Sequence, residues 1–458
     1  GPMMLVSGCS ELETMGKDHF QELDQVGLVR PVSKYAELVQ STENLLTATR
    51  NAITAALTGR PGPVHLTIPR DVFTADVKEE SKSSLPKEVV VGGTGEITLV
   101  EEALKILNEA KRPIIVAGSG CFYAQAWQEI KEFVSLTSIP IFSLLWDRCC
   151  IEESIPQYVG IVSTEVNAGA ELIAEADVIM TVGARVDYRL NYGEKPMVSP
   201  DAKYIRIDAE PSEVHRVRFA DVGIVGSPKE VLLQLIDKAK KLNWKNTQWL
   251  SRIVKRRQEN IDFWLSQKLE DTVPIPTLGL CREIKPFLSE DITFLLDGGN
   301  IGRWAHMLLF DRHPSFWFTC GISGVVGWGI PGAVAARLAR PDKPVLLFSG
   351  DGAGGFTLGD IQTAVRFGTP YVAVIAHDSA WGIVVDLQPD GRCAGSELGE
   401  IRFDQVAKAL GANGIYIDDA KQIAPAIEEG LKAKIPTFIH VPTVGLGIAS
   451  YRDYLASK

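Results

Sequence analysis

Apolar positions recur at helical spacing over Glu43–Leu57, a Gly-Pro turn follows, and Val64–Ile68 then reads as a strand. The same alternation returns with a helix at Leu99–Ala110 and a strand in "PIIVAGSG", and again around "ADVIMTVGARVD" and "AKYIRIDAEPSEV". Four more apolar runs, "ITFLLDGGN", "PVLLFSGDG", "PYVAVIAHD" and "PTFIHVPT", carry it towards the end of the chain. Strands alternating with helices predict parallel sheets and an α/β fold. The opening "MMLVSGC" reads as a further buried strand, and Asn246–Asp271, rich in charge, as an exposed connecting helix.

Composition shifts divide the pattern. The charged stretch "VKEESKSSLPKE" is almost free of large apolar residues and reads as a linker. The expected blocks are 3–77, a linker 78–94, 95–240, the connecting helix 241–273, 274–442, and a tail 443–458. A length of 458 residues suits two or three cores. Gly1-Pro2 ahead of Met3 reads as a tag remnant and is left out of the fold.

Charge and cysteine content narrow the function classes. With 47 basic against 57 acidic residues the formal net charge is −10, which lacks the basic footprint of a nucleic-acid binder. No apolar run approaches the roughly eighteen residues of a membrane span, so no membrane role is expected. Seven scattered cysteines, Cys149 and Cys150 adjacent, point to thiols in a reducing, cytoplasmic setting. Small molecules and other subunits are the expected partners.

The chemistry concentrates in "LLFSGDGAGGFTLGD", Leu346–Asp360. A strand at Val345–Ser349 runs into it, and Thr357 with Asp360 gives a helix N-cap signal. The next strand, Tyr371–Ala376, ends in the loop "HDSAWG". A right-handed crossover makes the two strands parallel and sets Asp351 and Asp378 at their carboxyl ends. Glycines 350, 352, 354 and 355 let backbone amides approach an anion, and two carboxylates at one point call for a cation such as Mg²⁺. The plainer alternative is that Asp351 caps a tight turn and Asp378 sits on a solvated loop.

These loops, taken with further segments in order, resemble the thiamine diphosphate (ThDP) enzymes of the acetolactate synthase, 2-oxo-acid decarboxylase and benzaldehyde lyase superfamily. Gly350-Asp351-Gly352 matches the family's Gly-Asp-Gly, and His377-Asp378 stands where the family has an Asn-Asn pair. "GRPGPVHLTIPRDV" and "DHFQE" resemble its pyrimidine-binding domain, and "RPIIVAGSG" and "YIRIDAE" its central domain. "LDGGN" and "GISGVVGWGIPGAV" resemble its diphosphate-binding domain. The resemblance implies three successive Rossmann-like parallel-sheet domains: a first, incomplete one at 3–77, a central one at 95–240, and the diphosphate- and Mg-binding one at 274–442.

It also implies roles. Asp351, Asp378 and the Ala380 carbonyl would hold Mg²⁺. Gly298, Gly299, Asn300, Val326, Gly350, Gly352, Ala353, Gly354 and Ser379 would meet ThDP, with Val326 propping its bent shape. The implied activity is decarboxylation of a 2-oxo acid with carboligation. Alternatives are a C–C lyase of the 2-hydroxyacyl-CoA lyase, oxalyl-CoA decarboxylase or benzaldehyde lyase kind, and an inactive or regulatory homologue. The family's catalytic glutamate has no match, since the resemblance begins about halfway through the first domain. His377 and Gln21 remain as candidates, and slow turnover of this chain is expected. "VGAR" at Val182–Arg185 with Asp208 resembles positions that hold the nucleotide of FAD or ADP, a vestigial sheet being the alternative. A homodimer or homotetramer acting on a 2-oxo acid or 2-hydroxyacyl substrate follows from the same likeness.

Overall fold

The structure is a computed structural model that describes residues 1–76, 92–147, 150–268, 272–314, 316–388 and 393–457. Cys149 and all but the last residues of the expected linker 78–94 therefore lie outside the described residues. The described chain builds three sheets, and every strand pairing in them is parallel.

The first sheet has the order β1 (Met3–Cys9), β3 (Pro63–Pro69), β2 (Tyr35–Leu38). The helix Thr42–Leu57 is capped by the Ser41 side chain, which accepts from the Asn44 amide. It buries Ala48, Ala52 and Ala56, one residue per turn, against Val64 and Leu66 of β3. The expected buried strand at "MMLVSGC" is a strand but is not buried, and Met3, Leu5 and Val6 are each about half exposed or more. The reason is position. β1 is an edge strand, while the helix layer centres on β3.

The second sheet runs β6 (Tyr158–Val162), β5 (Ile141–Leu144), β4 (Pro113–Ala117), β7 (Val178–Val182), β8 (Lys203–Asp208), β9 (Val222–Val225). Apart from Lys203 and two positions on edge strand β9, these strands are buried, as expected when helices cover both faces.

The helix Thr247–Ser266 corrects the expectation of an exposed connector. Its charged face forms ion pairs with the central unit, Arg252 to Glu175 at 2.6 Å and Arg256 to Glu171 at 2.8 Å. Its other face buries Trp249, Leu250 and Ile253 in the central core, then Ile261 and Trp264 in the third unit's core. The charge density hid an apolar stripe shared between two cores.

The third sheet has the order β10 (Ile275–Pro276), β16 (Thr437–Val444), β14 (Val372–His377), β13 (Val345–Gly350), β11 (Thr293–Asp297), β12 (Phe316–Thr319), with β15 (Asn413–Tyr416) also on β16. The register sets Asp297 beside Ser349, Gly350 beside Ala376, and His377 beside Pro442. Strands β11, β13 and β14 thus end at one level. The chain leaves β11 for β12 on one side and β13 for β14 on the other, a topological switch point where a crevice opens. Strand β16 continues to Val444, and the helix Ile448–Ser457 packs Tyr451 against Trp264 and Trp304.

Thr357 is not the expected N-cap. After β13 the backbone makes a short helix, Asp351–Gly355, then a turn, and the next helix, Asp360–Phe367, starts from Gly359. Glycines 354, 355 and 359 weaken helical continuity here. The Thr357 hydroxyl donates instead to the Gly327 carbonyl at 2.8 Å.

Candidate active site

A cavity of about 470 Å³ opens at the switch point. Its lining includes Gly298, Gly299, Asn300, Val326, Gly350, Asp351, Gly352, Ala353, Asp378 and Ala380, ten of the residues expected from sequence. Several neighbours must be glycine. A Cβ on Gly352 would lie 2.7 Å from the Trp381 ring, one on Gly299 2.8 Å from Ile383, and one on Gly382 2.6 Å from Asp378 Oδ2. This is a glycine-rich backbone cradle of the kind that receives phosphate groups.

Asp351 is buried, and Asp378 is half-buried beside it. Asp351 Oδ1 accepts from the Gly352 amide at 2.7 Å, and Asp378 Oδ1 from the Ala380 amide at 3.2 Å. Asp351 Oδ2 and Asn300 Oδ1 are buried and have no hydrogen-bond donor. Acceptors gathered without donors fit a hard cation. Mg²⁺ would be held by Asp351, Asp378 and the Ala380 carbonyl. Burial, and then the neighbouring Asp378, push the Asp351 carboxyl up to about 7. Asp378 is also raised, chiefly by burial.

The sign for metal binding follows. A cation needs both carboxylates ionised, so below about pH 7 it must displace a proton. We expect apparent Mg²⁺–ThDP affinity to weaken about tenfold per unit as pH falls below that point. The folded form's raised carboxyl acts oppositely without metal. Its contribution to stability is fully present below the unfolded carboxylate value of about 4 and is lost as pH rises through about 7. Calorimetric titrations between pH 5.5 and 8 with proton release measured would check this, and a pH-independent affinity would contradict it.

The other expected residues stand elsewhere. His377 is buried behind the cavity wall and does not line it. Its Nε2 accepts from the Ile401 amide at 3.3 Å and faces Asp351 Oδ2 at 3.7 Å, so it offers that carboxylate a lone pair and no proton. Its ring lies 4.7 Å from that of His440, whose basicity burial lowers to about 4. Ser379 also stands outside the lining, its Oγ 3.5 Å from His377 Nε2. Gly354 faces the sheet, towards Phe403 and Ile375. Gln21 is exposed on a loop of the first unit with φ +59° and lines neither cavity.

Sequence reasoning missed Asp297. Its Oδ2 accepts from the Gly327 amide at 3.0 Å and the Gly329 amide at 2.7 Å, tying the Val326 loop to the end of β11. Burial raises its carboxyl to about 6 against the pull of those amides. The signal was present in "LDGGN", where an acid closes an apolar strand.

A second cavity, about 320 Å³, lies at the central sheet and includes Arg60, Gly120, Gly183, Arg185 and Asp208. A Cβ on Gly120 would come within 2.6 Å of Gly183 Cα, so the chain crosses itself here through bare backbone. Arg60 pairs with Asp208 at 3.3 Å and with Glu213 at 3.1 Å. Trp146, in the left-handed region at φ +74°, lines both cavities.

Comparison with known proteins bears on both regions. Residues 100–235 match the thiamine pyrophosphate enzyme central domain, and residues 297–441 match the C-terminal TPP-binding domain of the same enzymes. The acetolactate synthase large subunit of Corynebacterium glutamicum is 30% identical over 93% of this chain and 70% of its own length. The 2-hydroxyacyl-CoA lyase of Arabidopsis thaliana is 26% identical over 96% of this chain and 79% of its own. The oxalyl-CoA decarboxylase of Escherichia coli is 27% identical over 96% and 78%.

Proposed function

Because the chain belongs to the thiamine pyrophosphate enzymes, as an acetolactate synthase large subunit-like member, we propose that it binds ThDP with Mg²⁺ at the switch-point cavity and decarboxylates a 2-oxo acid, ligating the resulting unit to a second carbonyl. One observation carries the reading: buried Asp351 and half-buried Asp378 meet beside a glycine cradle, with acceptor oxygens left for a cation. ThDP, when bound, supplies the carbanion chemistry. The residues of this chain do the rest. The amides around Gly350–Ala353 and the Asn300 side chain would receive the diphosphate, and Val326, held by the Asp297 clamp, would support the ring end.

The relatives named as lyase and decarboxylase, nearly as similar, favour a second reading as a C–C lyase on acyl-CoA substrates. The central cavity, with two arginines and bare backbone, suits FAD or ADP. The half-exposed Met3, Leu5 and Val6 with exposed Phe20, Leu28 and Val32 favour a homodimer or homotetramer. Among the described residues, Cys9, Cys281 and Cys320 are free thiols, in accord with a cytoplasmic setting. The blocks 3–77, 95–240 and 274–442 are taken as the pyrimidine, central and diphosphate domains.

The test is saturable ThDP binding that requires Mg²⁺, followed by product identification from pyruvate and from acyl-CoA substrates. Binding that ignores Mg²⁺ would refute the site.

A further inference from the structure

The switch-point cavity holds three carboxylates, Glu165, Asp351 and Asp378, but among its described lining residues a single basic side chain, Arg303. Asp351 and Asp378 are committed to the cation end. Arg303 lies three residues beyond Asn300 on the helix Asn300–Leu308, hence on the same face and about 4.5 Å further along its axis. Its Nη1 pairs with Glu165 Oε1 at 3.0 Å, from the loop that follows β6. One carboxylate oxygen does not exhaust a guanidinium with five N–H donors.

The other arginine close by is already spent. Arg189 is buried, with Nε and Nη2 on Asp187 and Nη1 on both Asp147 and the Leu145 carbonyl. The rest of the cavity lining carries no further cation, and it includes the apolar Trp146, Val166, Ile301 and Val326. An anion entering this cavity meets one counter-charge that can receive it.

We propose that Arg303 is the specificity-determining residue that receives the carboxylate of a 2-oxo acid, and that Glu165 orients its guanidinium while competing with the substrate for it. The inference rests on the ThDP reading of the same cavity. A planar guanidinium matches a two-oxygen carboxylate edge to edge. A neutral carbonyl compound leaves the Arg303–Glu165 pair as it is and gains nothing from the charge. The two partners therefore act with opposite signs on anion binding, whereas a bridge that merely fastened the central unit to the third would lose equally from either end.

Calorimetry on the full chain loaded with ThDP and Mg²⁺ separates these cases without requiring turnover. The probes are oxamate, an unreactive anionic mimic of a 2-oxo acid, and oxamide, its neutral counterpart. We expect Arg303→Gln to weaken oxamate binding roughly 10- to 100-fold, Arg303→Lys to recover part of it, and Glu165→Gln to tighten it several-fold. Oxamide and ThDP affinities should stay within about twofold throughout, the scale of a change that breaks no direct contact. The assignment is overturned if oxamate binds Arg303→Gln as it binds the parent, or if both single variants weaken oxamate and oxamide alike. ThDP failing to bind the unaltered chain would overturn the cofactor reading and this one with it. Intact ThDP binding with oxamate indifferent to the charge at 303 overturns this one alone.

Discussion

Asp351→Ala is expected to abolish Mg²⁺-dependent ThDP binding, raising the dissociation constant on the order of 10²-fold or more, since losing one partner of a buried charged contact costs about 3 kcal/mol or more. The substitution removes one of two carboxylates and leaves Asp378, half-buried beside Gly382 and Gly445, to hold the cation without it. Asp378→Asn is the informative contrast. It keeps an oxygen ligand and deletes the neighbour that helps raise the Asp351 carboxyl, so binding should survive and its pH dependence should shift downward. Calorimetry on the two variants decides the matter: equal, undiminished affinity in Asp351→Ala would remove Asp351 from the site.

The second large effect is on stability. Gly183→Val should cost roughly 2–6 kcal/mol, combining a positive-φ penalty with overpacking. Gly183 has φ +54°, and a Cβ there would lie 2.7 Å from Gly120 Cα and 2.8 Å from the Cys121 amide nitrogen. Both obstacles are backbone, so no rotamer change relieves them. Urea unfolding should show an earlier transition, and Gly183→Ala should share much of the loss because the first side-chain atom already collides. A midpoint unchanged in both variants would mean that the contact between the segments following β4 and β7 is looser than its geometry implies.

What could be read from the sequence follows from what is local. Asp351 and Asp378 were legible because each follows an apolar strand and one helical crossover joins the two strands, so its right-handedness alone brings them together. The exposure of β1 was not legible: its apolar residues look like any core strand, and only the width of the helix layer decides what is covered. The Thr357 cap failed because the chain turns through residues 356–359 and the helix starts only at Asp360, while the Thr357 hydroxyl bonds the Gly327 carbonyl. Arg303 and Glu165 were missed for another reason. Glu165 sits on a loop of the central unit and Arg303 on a helix of the third, so only the packing of the two units brings them together.

The narrow first sheet has a kinetic consequence. Its core cluster of buried residues is small, Val39, Ala48, Ala52, Ala56, Val64, Leu66, Ile68 and Val72, beneath an edge strand open to water. The seven-stranded sheet, by contrast, is packed on both faces. Local opening should therefore be cheapest in the first unit. Amide protons of β1 and β2 should exchange with deuterium well before those of β13 and β14, and a protease acting on the folded protein should cut between Met3 and Leu38 before it reaches the strands that carry Asp351 and Asp378.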